Sequence, residues 1–142
     1  MKKFLFLFAC LAFIGLGSVS AQSFTMTGND VVVTNTATVA CSLKVSNAYN
    51  AVTVQAVVTK TSGTIAGTVT LQGSVDGVNY ETVPVSLVAG GASTYTATDL
   101  ALQAKTFVIT GSPFLYYKLS YTGSGTMVGS LAGFILPRNY SK

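Results

Sequence analysis

Apolar and polar residues alternate along most of this chain, and a period of two is typical of β-strands with one buried face. The alternation is clearest at 52–58 and 115–121, and no stretch keeps apolar residues three and four positions apart for long enough to predict a helix. The pattern predicts about eight strands. The segments are Phe24–Thr27 with Val31–Val33, Thr36–Val45, Val52–Thr59, Thr68–Val75, Asn79–Leu87, Thr94–Thr98, Lys105–Thr110, Phe114–Tyr121 and Thr126–Leu136.

Turn residues separate these segments and favour antiparallel pairing. Asp76-Gly77 lies between two strand-like runs and is the strongest hairpin signal in the chain. Because one side of most strands is apolar and the other polar, the sequence predicts an all-β antiparallel β-sandwich or jelly roll. The segment Thr126–Leu136 is the exception, since it is apolar on both faces. We expect it either to lie centrally or to meet a neighbouring molecule.

The N-terminus has the three parts of a secretory signal. Lys2 and Lys3 precede an apolar run from Phe4 to Leu16, and small residues lead to Ala21. We therefore predict a bacterial-type signal peptide over 1–21 and a single β-sandwich domain over 22–142. The mature protein would be secreted, periplasmic or on the cell surface, with no membrane span after cleavage. An uncleaved anchor is the competing interpretation, because the uncharged run approaches the length of a membrane span.

Charge and cysteine content change once the leader is removed. Six of the eight basic residues remain against four acidic ones, which leaves a formal net charge of +2. The remaining basic residues are scattered singly, so nucleic acid is not expected as a partner. Cys41 is then the one cysteine of the mature chain and alternates with polar neighbours, which predicts a buried thiol on the apolar face of a strand.

Catalytic chemistry is poorly represented in the sequence. The chain has no His, which removes the most common general base and metal ligand. Asp76 and Glu81 form a pair of carboxylates of the kind that glycosidases use, but a hairpin explains both as turn and strand-surface residues. Asp76 and Asn79 also offer oxygen ligands for calcium, although Asp-Gly is already accounted for as a turn. We predict a protein that is not an enzyme and has no cofactor, no metal site and no catalytic residues.

Four tyrosines are candidates for surface recognition: Tyr80, Tyr95, Tyr116 and Tyr140. Their rings suit sugars or a protein partner, and cross-strand packing is the more ordinary role for them. The sequence identifies no ligand-binding residue among them.

The middle of the chain resembles a known kind of domain. Gly67 to Val83, with its Ser-Val-Asp-Gly-Val-Asn-Tyr hairpin, and the later strand Phe114 to Leu119 are similar to a small β-sandwich of bacteriophage virion and tail-associated proteins. The same segments resemble discoidin-like (galactose-binding-like) jelly rolls. Those domains commonly carry Trp where Tyr80 stands and Arg where Lys118 stands, so no ligand site is carried over. The resemblance implies the sandwich fold alone.

Two functional hypotheses follow. The first is an exported, non-enzymatic structural or interaction protein, a surface or virion-like subunit that associates with itself or with a protein partner. The second is a secreted carbohydrate- or surface-binding module that uses the loops 61–67 and 88–93 with the turn 76–79. Self-association distinguishes the two hypotheses most sharply.

Overall fold

Nine strands form the protein in a computed structural model, which describes residues 31–46 and 49–138. The predicted signal peptide and the predicted segment Phe24–Thr27 lie outside the described residues. The strands are β1 Val31–Thr34, β2 Thr38–Lys44, β3 Ala51–Gly63, β4 Gly67–Ser74, β5 Glu81–Thr82, β6 Thr94–Ala97, β7 Leu102–Thr110, β8 Tyr116–Gly123 and β9 Met127–Arg138. Over the described ranges, no helix is of the length and apolarity needed to cross a membrane.

The strands make two antiparallel sheets packed face to face, which confirms the predicted all-β sandwich. Sheet A has the order β1-β9-β3-β7. Sheet B has the order β2-β8-β4-β5, and β6 also pairs with β4. The last strand, β9, lies between β1 and β3, as its two apolar faces predicted.

The core lies between the sheets and follows the predicted alternation. Val52, Val54, Ala56 and Val58 on β3 are all buried, and they face a second set on sheet B. That set includes Leu43, Val69, Leu71, Tyr117, Leu119 and Tyr121. One contiguous cluster contains these residues, which is typical of a single domain.

Cys41 and Gly133 mark a close approach of the two sheets. Cys41 is 1% exposed, as the sequence predicted. A methyl group added at Gly133 would lie 2.9 Å from the Cys41 Sγ atom and 3.1 Å from a Leu119 methyl carbon. The small residue on β9 therefore allows sheet B to pack directly against the backbone of sheet A.

One predicted strand is wrong. We expected a strand over Asn79–Leu87, but β5 contains two residues and is followed by a 3₁₀ turn at Val85–Leu87. Pro84 accounts for the difference, because proline has no N–H to donate to a sheet. Pairing with β4 ends where Val83 N donates to Leu71 O.

Gln103 connects the two sheets where the chain passes from β6 to β7, and its side chain is 4% exposed. Its side-chain oxygen accepts hydrogen bonds from the Tyr95 hydroxyl and the Thr98 N–H, both at 2.8 Å, and its amide nitrogen donates to Thr98 O. Tyr95 and Thr98 lie on or beside β6, whereas Gln103 is the second residue of β7. The side chain therefore links sheet B to sheet A at the crossover.

Replacement of Gln103 by leucine is expected to destabilise the fold by about 2 kcal/mol, because it leaves the Thr98 N–H and C=O and the Tyr95 hydroxyl without their partner in a partly buried site. The measurement is urea denaturation of the variant and the parent. Gln72→Leu is the matched control, since the Gln72 side chain lies half-buried on the outer surface of sheet B and takes no part in the Gln103 hydrogen bonds. An equal effect of both substitutions would contradict the role assigned to Gln103.

Candidate functional site

The outer surface of sheet A is largely uncharged and mostly apolar, and it is the first candidate site. Strand registers place its outward side chains in rows that cross the sheet. One row runs from Val32 on β1 through Ser130 and Thr59 to Leu102 on β7. The next rows are Ala132, Val57, Ala104; then Phe134, Gln55, Thr106; then Leu136, Thr53, Val108. We call these four rows the apolar face.

The side chains of the apolar face are not fully buried by other parts of this chain, so packing within the chain does not explain why they are apolar. Val32 and Leu102 are each 63% exposed, and Phe134 and Leu136 are half-buried. None of the outward side chains in the four rows is charged, and Arg138 borders the face beyond Leu136. A central position in the sheet accounts for β9 being apolar towards the core. It does not account for the apolar side chains that β9 presents outwards.

The outer surface of sheet B has a different character. Its outward positions on β2, β8, β4, β5 and β6 are mainly Ser and Thr, with Lys44, Lys118 and Gln72 among them. At one end, the Lys118 ammonium lies 4.2 Å from the centre of the Tyr80 ring, and the Lys44 ammonium lies 5.2 Å from that of Tyr116. We call these four residues the lysine–tyrosine cluster.

The Asp76 turn beside this cluster is held by its own side chains. The Asp76 Oδ1 atom accepts hydrogen bonds from the Ser74 hydroxyl at 2.7 Å and from the N–H groups of Val78 and Asn79 at 2.8 Å. Oδ2 accepts from the Asn79 side chain at 2.7 Å. These bonds, led by those from Asn79 and Val78, hold the pKa of Asp76 well below its ordinary value. These hydrogen bonds hold the shape of the turn. The presence of Asp76 and Asn79 at these positions is therefore explained by the fold, without a metal ion.

Gly77 completes this turn with a left-handed backbone, at φ 78°. A methyl group placed on it would lie 3.1 Å from the Tyr116 ring. The turn thus packs directly on Tyr116. The backbone conformation favours glycine, and the contact leaves little room for a Cβ atom.

Acid is expected to weaken this turn. Because the folded pKa of Asp76 lies below the unfolded one, its contribution to stability is present above the ordinary pKa of 3.8 and is lost as the pH falls below it. Asp76→Asn should therefore be less stable than the parent at neutral pH, and the gap should narrow in acid. Denaturant melts between about pH 2 and 7 measure this. A gap that stays constant with pH would contradict it.

A second carboxylate, that of Asp99, also accepts hydrogen bonds from within the chain. Its Oδ1 atom accepts from the Lys60 ammonium at 2.8 Å and from the Ile65 N–H at 2.9 Å, and these partners lower its pKa. No local sequence pattern predicts this pair, because 39 residues separate the two side chains. Glu81 lies exposed on β5, in register with Gly73. Within the described ranges, no group of three His, Cys, Asp or Glu side chains is arranged to hold a metal ion.

The three segments of the predicted loop site do not come together. The loop 61–67 is bonded to the turn after β8, where Thr64 N donates to Thr126 O and Ser124 N donates to Ala66 O. The loop 88–93 lies at the other end of the sandwich, where Ala89 N donates to Val108 O. The turn 76–79 follows Ser74 at that second end. Along β3 the two ends are about 30 Å apart, so the loop 61–67 does not share a site with the other two segments.

The chain matches no known protein family, and no curated protein or solved structure is significantly similar to it. The outer surfaces of the two sheets are therefore the main evidence for its function.

Proposed function

We propose that this chain is an exported, non-enzymatic structural subunit of a cell-surface or virion-like layer, and that it assembles with copies of itself through the apolar face. The observation that carries the proposal is the composition of that face. Four consecutive rows of outward side chains, from Val32 to Leu136, contain no charge. Soluble monomers usually keep such contiguous apolar surfaces small, and larger ones mark interaction sites.

The size of the apolar face is that of a small, reversible interface with a second copy. The four rows contain thirteen outward positions, and at about 4.8 Å between strands and about 6.8 Å between residues on one face they cover roughly 400 Å². Two copies packed face to face would bury roughly 800 Å² in total, which is the range of weak, concentration-dependent interfaces. The same surface serves both partners, as a twofold dimer requires.

The geometry of sheets also favours this arrangement. Two sheets that pack face to face usually lie about 10 Å apart with their strands within about 30° of each other. An apolar face on a four-stranded sheet can meet a copy of itself in the same way. Within one row the small side chains of Ala132 and Ala104 flank the larger Val57, and Phe134 lies in the next row, so the surfaces of two copies can interdigitate.

Export and the absence of catalysis are supported by the sequence. The positive, apolar and small-residue parts of the leader fit cleavage before Gln22, which mass spectrometry of the mature protein would identify. The chain contains no His, and Asp76 and Asp99 are both engaged in hydrogen bonds that shape the fold. A protein without an evident chemical centre and with an extended apolar surface is better suited to assembly than to catalysis.

Light scattering of the exported protein over a hundredfold concentration range tests self-association. We expect a defined dimer or larger assembly at the upper end and dissociation on dilution. A monomer at every concentration would overturn the structural-subunit proposal.

A further inference from the structure

The lysine–tyrosine cluster places two cations side by side on the outer surface of sheet B. Ser42 on β2 is in register with Lys118 on β8, and Lys44 is in register with Tyr116. The two lysines are therefore diagonal neighbours on the same face, with backbones about 7–8 Å apart. Each ammonium group lies over a tyrosine ring, which restricts its position without neutralising its charge.

Neither lysine forms an ion pair with a carboxylate in the part of the chain that the structure describes. The one ion pair there joins Lys60 to Asp99 at 2.8 Å. Asp76 lies near the cluster, but its oxygens accept hydrogen bonds from Ser74, Val78 and Asn79. Lys44 and Lys118 therefore keep N–H donors available for an anion from outside the chain.

The surface around the lysines favours a polymer rich in hydroxyl groups over a protein partner. Lys118 shares its row with Ser42, Gln72 and Thr82, which donate and accept hydrogen bonds. Among the outward positions on the strands of sheet B, Ala40 is the one aliphatic side chain. Protein interfaces depend on buried aromatic or aliphatic anchors, and the aromatic rings of the cluster, Tyr80 and Tyr116, already lie under the two lysines.

We propose that the lysine–tyrosine cluster binds an acidic polysaccharide. Lys44 and Lys118 contact its carboxylate or sulfate groups, and the row of Ser42, Gln72 and Thr82 hydrogen-bonds to its hydroxyl groups. Tyr80 and Tyr116 hold the two ammonium groups in position. This site does not depend on self-association, because it lies on the sheet opposite the apolar face. A dimer formed through sheet A would nevertheless carry two such sites on opposite surfaces and would bind a polymer with higher avidity.

The test is binding of the exported protein to immobilised dextran sulfate, polygalacturonate and neutral dextran at about 50 mM NaCl, where charge contacts are weakly screened. Lys44→Gln/Lys118→Gln should weaken binding to the acidic polymers by about tenfold or more. The matched control is Lys105→Gln/Arg138→Gln, which removes the same charge from sheet A and should have less than about a twofold effect. Lys44→Arg/Lys118→Arg keeps both cations and should retain binding.

Comparison of the two acidic polymers identifies whether sulfate or carboxylate is preferred, and tighter binding to either supports the site. Equal losses in the cluster variant and the control would overturn it, because they would indicate an effect of net charge alone. Binding to neutral dextran as tight as to the acidic polymers would also overturn it, as would tighter binding to duplex DNA.

Discussion

Replacement of Phe134 by lysine is expected to convert the assembled protein into a monomer, with self-association weakened roughly 1,000-fold. Phe134 lies on the central strand β9 and points out of sheet A. Loss of a central aromatic anchor typically weakens an interface by 2 kcal/mol or more. In a twofold dimer the change occurs twice, so the total is about 4 kcal/mol, or roughly a factor of 1,000. Sedimentation or light scattering across a concentration series measures the effect.

Thr70→Lys is the matched control for this change. Thr70 also lies on a central strand and is half-buried on an outer surface, but that surface belongs to sheet B. The control should leave self-association unchanged while adding the same charge. If Thr70→Lys abolished assembly and Phe134→Lys did not, the interface would belong to sheet B and the apolar face would be wrongly assigned.

Substitution of Gly73 by alanine is expected to destabilise the fold by about 3 kcal/mol. A Cβ atom at this position would overlap the ring of Phe114, which is 6% exposed and packs edge-to-face against Tyr117 with ring centres 6.3 Å apart. Gly73 is not one of the glycines with positive φ, so backbone strain does not contribute. The effect comes from overpacking of the core beside the Asp76 hairpin.

A double-mutant cycle separates overpacking from other causes. In a Phe114→Ala background the alanine at position 73 meets no ring, so Gly73→Ala should have little effect there. Denaturant unfolding of the four proteins gives the interaction energy. A Gly73→Ala effect of equal size in both backgrounds would rule out the contact with Phe114 as its cause.

The sequence was most informative where one local rule determines the structure. Alternation predicted the buried faces of β3 and β8 and the burial of Cys41, because a period of two directly reflects side-chain direction in a strand. It failed at Asn79–Leu87, where Pro84 ends the pairing after Thr82. The hairpin at Asp76 was confirmed by the pairing of β4 with β5, although six residues connect the strands instead of a tight two-residue turn.

The candidate sites were only partly predictable. The segment Thr126–Leu136 is apolar on both sides, which indicates an unusual last strand. The apolar face, however, forms only because β1, β3 and β7 lie beside β9 in the sheet. Local sequence patterns do not predict that strand order. The lysine–tyrosine cluster was missed for the same reason. Lys44 and Lys118 lie 74 positions apart and become neighbours only through the register of β2 with β8. Sequence patterns identify Tyr80 and Tyr116 as candidates for surface recognition, but they do not identify Lys44 and Lys118 as their partners.

Oxidative footprinting at high and low protein concentration tests the central claim most directly, because it reports which surface a second copy covers. Phe134 on sheet A and Tyr116 on sheet B are both half-buried aromatic residues and serve as paired probes. We predict that Phe134 becomes protected as the concentration rises, while the labelling of Tyr116 stays constant. Constant labelling of Phe134 at concentrations where the protein is assembled would contradict the proposed interface.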